Sequence, residues 1–217
     1  MDKKQQMSES MRVAILLAIV GGFFDAYTYT CRGGVFANAQ TGNIVQVGMA
    51  LAKADMMKTL SFLIPIISFI GGVFVTLYIK QCFLEKKIHW RQMVLVLEMI
   101  IVVLVGLMPL TRTMNMIVNI LISFICAMQA EAFKKVRGNP FSSTMCTGNL
   151  RSGTEKIYMY ITYKNKLELN RGFQYFIVIL FFILGVMLGV YGCHYFNQWA
   201  ILLMLCPLML SLVLMDR

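Results

Sequence analysis

Two acidic residues, Asp25 and Glu131, each lie in an apolar stretch sixteen residues before a Thr-Gly-Asn tripeptide. The tripeptides are residues 41–43 and 147–149. An acid in an apolar segment can hold a proton or a cation, since ionisable groups in a membrane usually face a water path. A helix that starts inside a membrane offers free amide donors and a partial positive charge to a solute. The pattern therefore indicates one membrane unit that is written twice, with a break in the same place.

Polar residues near the two breaks complete the candidate site. Glycine permits a backbone break, and we expect Thr or Asn of each tripeptide to cap the helix that follows. Asn43, Gln46 and Ala50 share one face of such a helix, and Asn149 occupies the matching place in the second copy. The candidate solute- or ion-binding residues are Asp25, Thr41, Asn43, Gln46, Gln129, Glu131, Thr147 and Asn149.

Each candidate also has a purely structural interpretation. Asp25 could be a hydrated interfacial acid or a partner of Arg32, and Glu131 could form an ion pair with a lysine three or four residues on. Polar residues of the fourth apolar segment, Gln129 among them, could form hydrogen bonds between helices. Glu98, inside another apolar run, could extend toward the interface or pair with a neighbouring lysine.

The composition is that of an integral membrane protein. Hydrophobic residues make up 59% and charged residues 14%, with a mean hydropathy of +0.71; a soluble domain carries about 25% charged residues. The 217 residues form one membrane domain, residues 1–217. No nucleophile elbow, zinc motif or nucleotide-binding loop occurs in the sequence. We expect no enzyme, no cofactor and no metal site.

The net charge of +10 does not require nucleic acid as a partner, because Lys and Arg are enriched in the cytoplasmic loops of membrane proteins. The six cysteines are scattered without a Cys-x-x-Cys pair, so neither a disulfide framework nor a zinc site is expected. The expected partners are the lipid bilayer and an unknown small solute, and a homo-oligomer is compatible with the sequence.

Six segments are long and apolar enough to span a bilayer, which takes about 20 residues. They are residues 11–29, 59–79, 93–110, 114–133, 173–191 and 199–215. With the amino terminus in the cytoplasm, 16 of the 20 Lys and Arg residues lie inside. This bias predicts that both termini are cytoplasmic, in a multi-pass protein of the bacterial inner membrane.

The stretch 41–52 is too short to cross, since twelve helical residues reach only about 18 Å. Counting it and its counterpart as further spans would also reduce the charge bias to 12 of 20. We therefore predict a short half-helix after the first span of each half. Three spans per half make the second copy run upside down. The fold expected is all-α, with six transmembrane helices as two inverted three-helix repeats, about 11–110 and 114–215.

The first half carries a recognisable block of residues. It reads Gly-Gly-x-x-Asp-Ala at 21–26, Gly-Gly-Val-Phe-x-Asn at 33–38 and Thr-Gly-Asn at 41–43. The chain thereby resembles the YoaK-like family of uncharacterised bacterial inner-membrane proteins. The resemblance covers nearly the whole chain, although the region 129–149 matches more loosely. It implies about six helices and a membrane location, and it brings no substrate.

The architecture favours a small-solute transporter or channel-like permease, with transport linked to a proton or another cation through the carboxylates. The site would lie between the two halves. The alternative is a non-transporting membrane scaffold, or a subunit of a larger complex, that uses its polar faces to bind other helices. These two hypotheses differ in whether a watery cavity or a dry interface surrounds the tripeptides.

Overall fold

The chain is helical in almost all of the residues that the computed structural model describes, which are 9–83, 90–136, 139–140 and 146–215. A 3₁₀ helix, Asn197–Met204, joins the last two α-helices. The strands β1 (Lys135–Val136) and β2 (Asn139–Pro140) form a small antiparallel pair. The α-helices are α1 (Met11–Cys31), α2 (Gln40–Ala52), α3 (Met56–Phe83), α4 (Trp90–Gly106), α5 (Arg112–Ala132), α6 (Cys146–Tyr163), α7 (Lys166–Phe196) and α8 (Leu205–Met215).

Helix α1 is the centre of the fold. It begins after Ser10, whose Oγ accepts the backbone N–H of Val13, and most of its side chains are buried. It contacts α5, α7, α8 and the 3₁₀ helix. By contrast, α3 and α7 expose large apolar side chains such as Phe74 and Leu180. Apolar surface of this kind suits contact with lipid chains.

The closest helix crossings are made at glycines. A Cβ atom on Gly185 of α7 would lie 2.1 Å from the carbonyl oxygen of Ile19 in α1. A Cβ atom on Gly72 of α3 would lie 2.3 Å from the carbonyl oxygen of Phe124 in α5. Only glycine fits at these distances. The spacing Gly185-x-x-x-Gly189 thus allows α7 to approach α1 closely within a single chain.

Four stretches of the described residues are long and apolar enough to cross a membrane, namely α1, α3, α5 and Lys166–Met215. The last stretch is interrupted at Asn197, where a φ of 49° and a ψ of −125° end α7. The residues of the fifth predicted span lie before this interruption in α7, and those of the sixth lie after it, in the 3₁₀ helix and α8. Helix α4, with 17 residues, covers the third predicted span but lies at the short end of the spanning range.

The two predicted half-helices differ in length. Helix α2 has 13 residues, as expected for a segment too short to span. The helix after the second tripeptide, α6, is longer, with 18 residues, and it is not among the described stretches that are apolar enough to cross. Its polar second half extends along the start of α7. Lys156 forms an ion pair with Glu168 at 2.7 Å, and Gly172 leaves room for Ile157.

Candidate functional site

Asp25 lies near the carboxyl-terminal end of α1 and is 95% buried. Its Oδ1 accepts the backbone N–H of Asn38 at 2.7 Å, and the backbone amides of Ala37 and Ala39 lie near the carboxylate. The acid is therefore held by the backbone that leads into α2. An ion pair with Arg32, one of the two structural interpretations, is not formed.

The start of α2 differs from the cap expected for the Thr-Gly-Asn tripeptide. Helix α2 begins at Gln40, and its N-cap residue Ala39 makes no side-chain cap hydrogen bond. The prediction that Thr41 or Asn43 caps this helix is wrong. The carboxylate of Asp25 binds the amides just before the helix instead, and a negative charge is favourable at that end of a helix dipole.

Asn43 is fully buried and braces the loop before its own helix. Its Oδ1 accepts the backbone N–H of Phe36 at 3.1 Å, and its Nδ2 donates to the carbonyl oxygen of the same residue at 2.6 Å. Nδ2 also donates to Oε1 of Gln40 at 3.0 Å. Its amide group thus holds the loop rather than pointing to a solute.

Residues 33–39 form the non-helical break predicted after the first span. Gly33 and Gly34 have φ values of 95° and 80°. Residues other than glycine rarely adopt this backbone conformation. The ring of Phe36 then stacks on Tyr29 with centroids 4.7 Å apart. Nδ2 of Asn38 donates to the carbonyl oxygen of Gly21. These contacts fix the break against α1. In the second copy, Gly138 lies outside the described residues.

A cavity of about 790 Å³ brings the two tripeptides together. Thr41 of α2, Thr147 of α6 and Asp25 of α1 all line it. Helix α7 supplies an apolar wall that includes Phe182 and Val186. The remaining described lining residues are Ala26, Tyr29, Thr30, Phe36, Asn38, Ala39, Gln40, Cys146, Gly148 and Val190.

The thiol of Cys146, the first residue of α6, lies in the lining of this cavity, and its pKa depends on the surroundings there. Burial and, to a smaller extent, the negative charge of Asp25 together raise the pKa of this thiol to about 11. The thiol is therefore almost entirely protonated at neutral pH. Its reactivity reports both access to the cavity and the charge on the acid.

The other predicted site residues lie elsewhere. Gln46 is half-buried and Asn149 is buried, and neither is among the described residues that line the cavity. Gln129 is fully buried and its Nε2 donates to the carbonyl oxygen of Leu17 at 3.0 Å, a hydrogen bond between helices. Glu131 forms an ion pair with Lys134. The structure thus brings together Asp25, Thr41 and Thr147 only.

The sequence suggested Arg32 only as a partner of Asp25, and its actual polar contacts were not predicted. Arg32 is fully buried just after α1, and its guanidinium donates to the carbonyl oxygens of Met108 and Pro109, beyond the end of α4. It also donates to the hydroxyl oxygen of Tyr27 and to Oδ1 of Asn115. The available signal was an arginine directly beside a helix end, which is favourable next to free carbonyl groups.

These features define the class. The chain is a helical membrane protein with candidate spans and a buried polar site at helix starts. It matches, over residues 13–214, a family described as "Protein of unknown function (DUF1275)", and it belongs to that family. It is 31% identical over 157 residues to the UPF0700 transmembrane protein YoaK of Bacillus subtilis (strain 168), covering 70% of this chain and 68% of that protein. No solved structure matches the chain. The YoaK-like resemblance is thereby confirmed.

Proposed function

We propose that this protein is a small-solute permease of the bacterial inner membrane, made of six spans in two inverted repeats, without catalytic chemistry of its own. The single observation that carries the proposal is the cavity shared by Asp25, Thr41 and Thr147. Irregular backbone and helix starts at membrane depth persist where they line a cavity. Transporters with inverted repeats place their solute sites at such interrupted helices.

The pattern of helix contacts supports the inverted repeat. Exchanging α1 with α5, α2 with α6, α3 with α7 and α4 with α8 turns the contact α1–α7 into α5–α3, and both contacts are present. The same exchange relates α2–α3 to α6–α7 and α1–α8 to α5–α4, which are also present. The glycine crossings at Gly185 and Gly72 belong to the exchanged pair α1–α7 and α5–α3.

The lining of the cavity suits an organic solute with one polar end. Phe182, Val186 and Val190 offer an apolar wall, while Asp25 and Gln40 offer a carboxylate and an amide on the other side. The volume of about 790 Å³ falls in the range of small-molecule sites. A small amine or amide would place its N–H groups toward Asp25 and its carbon skeleton against α7.

Transport is tested by uptake into proteoliposomes. Solutes are first chosen by a thermal-shift screen of small amines, amides and amino acids in detergent. Thr147→Trp should fill the cavity and abolish both the thermal shift and the uptake. Leu150→Trp, an exposed position on the same helix, is the matched control and should retain both. Asp25→Asn should abolish proton-linked uptake.

A dry scaffold would give a different result. If Thr41→Cys and the native Cys146 resist water-soluble thiol reagents from both sides of the membrane, no aqueous cavity exists and the permease is excluded. Labelling is done at mildly alkaline pH, because the raised pKa of Cys146 makes its thiolate scarce at neutral pH. Equal uptake by Thr147→Trp and the unmodified protein would likewise contradict the proposal.

The orientation is part of the proposal. The excess of Lys and Arg in the predicted inner loops supports cytoplasmic termini. A reporter that fluoresces only in the cytoplasm, fused in turn to each terminus, should be bright in both fusions. One dark fusion with normal expression would contradict an even number of spans.

A further inference from the structure

Glu98 lies in the middle of α4 and is fully buried. Neither of its carboxyl oxygens has a hydrogen-bond partner in the part of the chain that the structure describes. Glu98 therefore neither extends to the interface nor pairs with a lysine, which were the two structural interpretations offered by the sequence. An ionised carboxylate without partners is strongly disfavoured in an apolar interior, so the group carries a proton in this conformation. The proposed site does not use this acid.

The packing of α4 on α5 places Glu98 beside other polar groups. Nε of Arg91 donates to the carbonyl oxygen of Ala132 at 2.9 Å, and the two helices run in opposite directions. Two turns further along α4, Glu98 is therefore level with the turn of α5 that carries Ser123 and Cys126. Oγ of Ser123 is also buried without a hydrogen-bond partner among the described residues. A small polar region thus lies inside the bundle.

This region adjoins the cavity acid. The side chain of Asn38 lies next to the thiol of Cys126, while the backbone N–H of Asn38 binds Asp25. The thiol of Cys126 lies within electrostatic range of both carboxyl groups, Asp25 and Glu98. One side chain of α5 is therefore near both the acid in the cavity and the acid in α4.

The basic residues around Glu98 lie toward the helix ends, and none pairs with its carboxyl group among the described residues. The buried guanidinium of Arg32 is the basic group at the far end of α4, where it donates to the carbonyl oxygen of Val105. Arg91 is two turns away on α4 and is bound by an acid near the amino terminus. On α3, Lys58 and Lys80 lie near the two ends of the helix, and Lys80 stands over the first residue of α4. The 3₁₀ helix and α8 contain no acidic or basic residue, and the thiol of Cys206 on α8 is exposed. On α1, Arg12 lies in the first turn, and Asp25, Tyr27, Tyr29 and Cys31 lie in the last two turns. On α5, Arg112 and Glu131 lie at the two ends, and Cys126 lies in the second half of the helix.

We propose that Glu98 is a second proton-binding site, linked through Asn38 and Cys126 to the charge in the cavity at Asp25, and that the proton is the coupling ion of the permease. The role of this proton as the coupling ion rests on the proposed function. Binding a solute at Asp25 changes the charge that faces the buried acid. A conformational change that wets α4 would then release the proton of Glu98 as H⁺, with the carboxylate left behind and no other bond changed.

The proton on Glu98 is detected without any transport assay. In infrared spectra of the protein in liposomes, the carbonyl stretch of a protonated carboxylic acid should persist at neutral pH and disappear in Glu98→Gln. Dicyclohexylcarbodiimide, an apolar reagent for protonated carboxyl groups, should modify Glu98 as read by peptide mass spectrometry. Glu131→Gln, which removes an acid paired with Lys134, is the matched control and should change neither result. A band unchanged in Glu98→Gln would overturn the proposal.

The link to the cavity and the role in transport are measured separately. Asp25→Asn should shift the pH at which the Glu98 band disappears, and Glu131→Gln should not; equal behaviour of the two variants would refute the link. Glu98→Gln should retain the thermal shift caused by the solute. The rate of uptake driven by a pH gradient should fall at least tenfold in this variant. If the unmodified protein takes up no solute while the band and the labelling are present, the permease fails and the proton site stands.

Discussion

The carboxylate of Asp25 and the backbone N–H of Asn38 lie 2.7 Å apart, which ties a buried acid of α1 to the start of α2. This single hydrogen bond gives the acid two roles. It stabilises the break between the helices, and it places a negative charge on the wall of the cavity. Replacing Asp25 therefore changes the fold and the chemistry together, and the two effects must be separated by the choice of variant.

The fold contribution of Asp25 predicts a graded loss of stability. Asp25→Ala removes a charged acceptor from the backbone amides before α2, and it should lower the free energy of unfolding by about 2–3 kcal/mol. Asp25→Asn keeps an acceptor oxygen and should cost about 1 kcal/mol. Denaturant unfolding in detergent, followed by circular dichroism, measures both values.

The control for this series is the corresponding acid of the second half. Glu131 is paired with a partly exposed lysine, so Glu131→Ala should cost less than about 1 kcal/mol. Similar losses for Asp25→Ala and Glu131→Ala would show that the backbone contacts of Asp25 do not stabilise the break.

The thiol of Cys146 predicts a pH-dependent reactivity that senses Asp25. Its pKa of about 11 means that the thiolate fraction, and hence the alkylation rate, should rise about tenfold per pH unit through the neutral range. Asp25→Asn removes a charge that raises this pKa, so it should speed the labelling at a given pH. Stopped-time labelling with an alkylating reagent, in a variant that keeps Cys146 alone, measures the rate.

A control variant tests whether a change in the labelling rate of Cys146 comes from the charge of Asp25. Glu155→Gln removes an acid from α6 that is not among the described residues lining the cavity, and it should leave the Cys146 rate unchanged. An unchanged rate in Asp25→Asn as well would mean that the acid does not act on this thiol.

The helix crossing at Gly72 predicts a sharp contrast between two neighbouring residues of α3. A Cβ atom at Gly72 would lie 2.3 Å from the carbonyl oxygen of Phe124, whereas a Cβ atom at Gly71 meets nothing within 4 Å. Gly72→Ala should therefore cost about 1–3 kcal/mol through overpacking. Gly71→Ala should stabilise the protein by up to about 1 kcal/mol, since alanine favours helix. Thermal unfolding in one detergent compares them, and equal shifts would contradict the crossing.

The sequence was informative where local chemistry decides the outcome. The apolar segments, the break at Gly33 and Gly34, and the close approach at Gly185 follow from hydropathy and from the absence of a side chain. Asp25 was found because an acid in an apolar run has few roles. These properties depend on residues near one another in the chain.

Contacts between distant residues could not be predicted in this way. The tripeptide suggested its own helix cap, yet the anion at the start of α2 comes from Asp25 on another helix. The packing of α6 on α7 includes the ion pair of Lys156 with Glu168, twelve residues away in the chain. The neighbours of Glu98 are set by the register of α4 on α5, which no local pattern in the sequence specifies.

Arg32 predicts the largest effect of a conservative substitution. Its guanidinium makes hydrogen bonds of 2.7–3.2 Å to Tyr27, to Asn115 and to the carbonyl oxygens of Met108 and Pro109. Lysine has a single nitrogen and cannot reproduce this planar set of donors. Arg32→Lys should therefore lower the free energy of unfolding by about 3 kcal/mol, because buried acceptors lose a charged donor.

Arg112 provides the control for this substitution, because it lies on the exposed first turn of α5. Arg112→Lys keeps the charge at the surface and should change the free energy by less than about 0.5 kcal/mol. Tyr27→Phe removes one acceptor of Arg32 together with the hydroxyl that donates to the carbonyl oxygen of Gln198. In a double-mutant cycle with Arg32→Lys, the two losses should fall short of additivity by at least about 0.5 kcal/mol. Strict additivity would mean that the guanidinium and the hydroxyl do not act as one network.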